Sequence, residues 1–184
     1  IREVMRYLFN SDFFKSENCW YEKVKSPAEL VTGVMRLTEA VNMPKYDTFS
    51  KQLRMQYMGQ TLSNPPSVEG WDGGTTWIDT GALVERMNFA AEELGSLTTP
   101  GSKQLFHKVV SENSDEVSPE RVIDICLDHV GSLSIHEDTR SKLIEYANEN
   151  GGVKLNGNQI NESGKEIISG IVKLIASTPE FQKA

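Results

Sequence analysis

Apolar residues return at steps of three and four along almost the entire chain, and nowhere do four or more residues alternate between turn signals as a half-buried strand would. That rhythm commits the chain to helices, and 184 residues are enough to close one core around them. The expectation is a single all-α domain over 1–184, an irregular bundle of about seven or eight helices interrupted by one long loop rich in Pro, Gly and Trp.

Local chemistry sets the expected boundaries. Ile1, Met5, Leu8 and Phe9 mark a first helix that stops at Asn10 to Asp12. Ser26-Pro27-Ala28-Glu29 is a start signal: the hydroxyl accepts from the Glu29 N–H, Glu29 reaches back, and Pro27 sits where no N–H is needed. It opens a helix to about Val41, broken at Asn42 to Pro44, in which Gly33 either admits a close neighbour or weakens the helix. Tyr46 to about Leu62 follows, with Phe49, Leu53, Gln56, Tyr57 and Gln60 at helical steps and Met55 and Met58 assigned to the core. Asp79 or Thr80 caps a helix ending at Leu94, closed by Gly95. Helices from Gly101, from Pro119, over 136–150 and over 162–177 complete the set; Gly131 and Gly151 stand at left-handed caps, and 148–164 reads as a solvated connector.

Composition narrows the classes of function. With 19 Lys and Arg against 26 Asp and Glu, a net charge of −7, the chain lacks the basic surface that tracks phosphates, so no nucleic-acid partner is expected. No apolar run is long enough to span a bilayer. Cys19 and Cys126 have no CxxC or Cys/His cluster around them; a single long-range disulfide is one reading, and two buried free thiols is the one the spacing favours. Cys126 and His129 share a helix face, but two ligands fall short of the three or four that zinc requires. The Asn148 and Asn150 region lacks the carboxylate series and the terminal Glu of a calcium loop, so no metal and no cofactor is expected. The common hydrolase, metalloprotease and nucleotide-binding signatures are also missing.

The stretch Asn64 to Trp77 spends two tryptophans and three glycines on a connection that a bundle could make in a few residues. Two readings stand side by side. In one, Trp71 and Trp77 form an aromatic wall for a glycan or protein ligand, with Asn64, Glu69, Asp72 and Arg86 as polar contacts. In the other, the tryptophans plug a groove between helices and Glu69 or Asp72 pairs with Arg86.

The motif Asn64-Pro65-Pro66-Ser67-Val68-x-Gly70-Trp71-x-Gly73-Gly74, followed by Trp77-Ile78 and Arg86-x-Asn88-Phe89, resembles the hallmark of the bacterial family of domains of unknown function numbered 1800. Supporting stretches are the Ser-Asp-Phe-Phe ending of the first helix, Lys23-Val24-Lys25-Ser26-Pro27, Met58-Gly59-Gln60, and Ser177-Thr178-Pro179-Glu180-Phe181-Gln182. The resemblance implies the C-terminal part of a larger, exported or envelope-associated bacterial protein, whose N-terminal region is then an expected partner. It carries no established catalytic residue. The expectation is a non-catalytic binding or structural module acting through loop 64–77; the alternative is part of a hydrolase with Glu69 and Asp72 as acid and base, completed by the N-terminal region.

Overall fold

The computed structural model describes residues 1–39, 46–111, 116–157 and 159–183. Nine α-helices are found among the described residues: α1 Arg2–Asn10, α2 Asp12–Lys15, α3 Pro27–Leu37, α4 Tyr46–Tyr57, α5 Thr80–Leu94, α6 Pro100–Ser111, α7 Pro119–His129, α8 Glu137–Glu149 and α9 Glu162–Ala176. The fold is all-α, as the periodicity predicts, and the one-turn α2 is the element the sequence reading passes over. Ser11 accounts for it, its hydroxyl accepting from the Phe14 N–H.

The caps work as their residue types dictate. Ser26 and Glu29 close a reciprocal capping box on α3, and Asp79, Ser118 and Asn161 accept from backbone N–H groups at the starts of α5, α7 and α9. Gly59, at φ +96°, ends α4 at Tyr57 rather than near Leu62: the Gln60 N–H turns back to the Met55 carbonyl and the Gly59 N–H to that of Gln56. The expected break at 42–44 lies outside the described residues. Gly33 has open space around it, so of its two roles only the weakened helix applies.

The centre of the core is α9, which packs against α5, α7, α8 and a short strand. Its Ile167, Ile168, Ile171, Val172 and Ile175 meet Phe89, Ala90 and Leu94 of α5, Val122, Ile123 and Cys126 of α7, and Leu143 and Ala147 of α8 in one continuous apolar cluster. Segment 148–164 is more than a solvated connector. Within it a short strand, β2 Val153–Lys154, pairs antiparallel with β1 Glu116–Val117, and Val153 and Ile160 enter the core.

Helix α4 is rotated from its expected phase. Lys51 and Met55 form its buried side, with Met58 buried just past its end, while Phe49 and Tyr57 are about two-thirds exposed (64% and 66%). The reason lies in its charged anchors: Lys51 pairs with Glu93, its ammonium 5.8 Å from the centre of the Phe89 ring, and Arg54 donates to Glu85 and to Glu92 at 2.7 Å each. These pairs clamp α4 to α5 and so fix the two ends of the loop between them.

Candidate functional site

Loop 58–79 is built from tight local turns. The Gly70 N–H donates to the Ser67 carbonyl at 3.1 Å, which puts Val68 and Glu69 at an exposed tip, and Gly70 and Gly74 adopt positive φ of 100° and 65° that a side chain would resist. A single 3₁₀ turn, Gly74–Ile78, then carries the chain into the Asp79 cap.

The two tryptophans have different fates. Trp77 is 8% exposed and lies against Gly59, where a Cβ would meet its ring edge at 3.9 Å, whereas Trp71 is only half-buried. Between the loop and the end of α4 lies a cleft of about 350 Å³, lined by Tyr57, Trp71, Asp72, Thr76, Trp77 and Asp79 together with small and apolar neighbours. Asp79 is a structural cap as well, its Oδ1 accepting from the Ala82 N–H at 2.8 Å.

Of the six nominated residues, Trp71, Asp72 and Trp77 line this cleft; Asn64, Glu69 and Arg86 do not. Asn64 and Glu69 are exposed on the loop. Tyr57, Thr76 and Asp79 complete the lining without having been nominated. Tyr57 could have been found only from the phase of α4, which its aromatic stripe disguises.

Arg86 is wholly buried, at 0% exposure, and the pairing with Glu69 or Asp72 does not occur. Its Nε donates to Gln182 Oε1 at 2.9 Å and its Nη2 to the Lys25 carbonyl at 2.7 Å, while Nη1 is buried without a partner among the described residues. Burial pushes the guanidinium down to about 10. The Lys25 ammonium is lowered too, by burial first and then by Arg86 beside it; it donates to the Phe181 carbonyl and stands 4.7 Å from the centre of that ring. The Val24 to Lys183 bridge and the Lys25 N–H donated to the Gln182 carbonyl complete the joint. Thus the Lys-Val-Lys-Ser-Pro stretch, the Arg-x-Asn-Phe stretch and the Thr-Pro-Glu-Phe-Gln stretch, far apart in sequence, close on one another behind the cleft. Ala82, one turn before Arg86 on the same face of α5, lines it.

Both cysteines are free, but only Cys126 is buried as expected, its thiol pushed up to about 12 by desolvation; Cys19, on the short turn after the exposed α2, is half-buried instead. No group of three or more His, Cys, Asp or Glu able to hold a metal ion occurs among the described residues, and no helix there is long and apolar enough to cross a membrane.

Neither a curated protein nor a solved structure matches the chain. The family model described as Protein of unknown function (DUF1800) matches residues 1–183, which takes in the 96–160 region that carries no recognisable motif. With the loop motif, the buried arginine and the C-terminal stretch joined in one arrangement and the match running through all of them, the chain belongs to this family of domains of unknown function.

Proposed function

We propose that this domain is a non-catalytic binding module, taking a polar ligand in the cleft under loop 64–77 on behalf of a larger, envelope-associated protein. The observation that carries the reading is the division of labour between the tryptophans. Trp77 is buried and fixes the loop from beneath, which leaves Trp71 half-exposed beside an open cleft that Tyr57 also lines. Rigid aromatic faces at a concave site suit a flat ligand such as a pyranose ring, since stacking there orders few torsions on either side. The hydrolase alternative draws less support: of its two carboxylates Asp72 lines the cleft and Glu69 stands on the exposed tip.

The test is tryptophan emission in the Trp20→Phe background, where Trp71 and Trp77 are the reporters, during titration with soluble chito-oligosaccharides and peptidoglycan fragments. A saturable shift that disappears in Trp71→Ala, with the melting temperature retained, is expected. Emission unmoved by every ligand, or undiminished binding by Trp71→Ala, would remove the cleft from consideration. Slow cleavage of a bound oligosaccharide, abolished by Asp72→Asn, would favour the hydrolase instead.

A further inference from the structure

The charges around the cleft are unevenly matched. On the same helical hairpin, Glu85, Glu92 and Glu93 each have a basic partner in Arg54 or Lys51. The two carboxylates that line the cleft do not: Asp72 forms no hydrogen bond or ion pair among the described residues, and Asp79 uses only Oδ1, on its helix cap. No Lys, Arg or His is among the described residues lining the cleft, and Arg86, the cation of α5, is committed to Gln182 and the Lys25 carbonyl. Three aromatic rings, those of Tyr57, Trp71 and Trp77, share the lining with these two carboxylates.

Ring faces attract cations through their quadrupole, and two unmatched carboxylates in the same concavity add a directional charge. A neutral ligand would satisfy the rings and leave the carboxylates to water. A cationic one satisfies both. We infer that the group this cleft recognises is the ammonium of an amino sugar, its ring stacked on the aromatic wall and its nitrogen placed between Asp72 and Asp79. The inference rests on the binding reading above and narrows it. A sugar is favoured over a lysine side chain because its ring is rigid and its apolar face is flat, so that stacking costs little conformational entropy, whereas a lysine stem must freeze four torsions.

The experiment titrates the Trp20→Phe protein with tetraglucosamine, with its fully N-acetylated counterpart and with Nα-acetyl-lysine amide, at low and at high salt. Tetraglucosamine should bind at least about tenfold more tightly than the acetylated tetramer and weaken several-fold as salt screens the carboxylates. Asp72→Asn combined with Asp79→Asn should erase that difference, and Asn at 79 still caps α5. The acetylation and salt comparisons need no variant, so a misfolded double mutant would leave the question answerable. Equal, salt-insensitive binding of both tetramers would overturn the ammonium assignment and leave the binding module standing. Acetyl-lysine amide binding as well as tetraglucosamine would overturn the sugar. No binding by any of the three would overturn the inference together with the reading beneath it.

Discussion

A guanidinium held wholly out of water ordinarily answers to a carboxylate; Arg86 answers to an amide oxygen and a main-chain carbonyl. Desolvation is then opposed by hydrogen bonds alone, which is why the charge is less tightly held than that of a free arginine. The partners depend on one another, because removing either leaves a buried polar group unmatched. Arg86→Met and Gln182→Leu should each destabilise the domain by about 2–3 kcal/mol, while the double variant should fall short of their sum by about 1–2 kcal/mol. Urea unfolding of the four proteins measures this, and strict additivity would mean that the contact contributes nothing. The residue motif made Arg86 conspicuous, yet the sequence could not say which way it faced. Its acceptors lie 61 residues before it and 96 after, and no periodicity links such positions.

Helices were the legible level. Ser26 caps α3 as its spacing to Glu29 predicts, and of the two candidates for α5 it is Asp79 and not Thr80 that caps; a cap depends on three or four neighbouring residues and is written locally. What failed were properties that arise between elements: the phase of α4, set by pairs with α5, and the role of individual glycines. Gly101 shows the second kind. It reads as an ordinary residue in the first turn of α6, but a Cβ there would lie 2.0 Å from the Leu37 carbonyl oxygen, while the Gly101 N–H donates to the Thr38 carbonyl at 3.2 Å. The end of α3 and the start of α6 therefore touch backbone to backbone. Gly101→Ala gains up to about 1 kcal/mol of helix propensity. It should nevertheless lower stability by about 1–3 kcal/mol, because the atoms the new Cβ meets, in Leu37 and Thr38, belong to main chain that cannot rotate away. Gly33→Ala, in open space within α3, is the matched control and should stabilise. Thermal unfolding of the pair separates packing from propensity.

Over the whole molecule the two ends of the described chain contrast. Helix α1 places Ile1, Val4, Met5, Leu8 and Phe9 on one stripe, an arrangement that reads as a core face, yet α1 and α2 bury no residue and the stripe stays in water. Amphipathic spacing shows that a helix has an apolar face and is silent on whether anything covers it. Residues 180–183, by comparison, look like an unremarkable tail, and they seal the joint around Arg86, with Phe181 and Gln182 buried. Deleting residues 1–15 should therefore shift the melting temperature by no more than about 2 °C and improve solubility, whereas deleting 180–184 should lower it by about 8 °C or more. Differential scanning calorimetry decides, and a large loss from the first deletion would show that α1 and α2 support the body. The cleft was half legible on the same grounds: its loop is contiguous in sequence, and Tyr57, which also lines it, belongs to a helix whose orientation is a tertiary fact. The Arg86 joint has a last consequence, in time. Because it ties segments separated by 61 and 96 residues, closing it carries a large loop-closure cost, and it should form on the native side of the folding barrier, a placement that folding and unfolding rates of Gln182→Leu would test. Weakening it will leave the rate of folding almost untouched and shorten the life of the folded molecule.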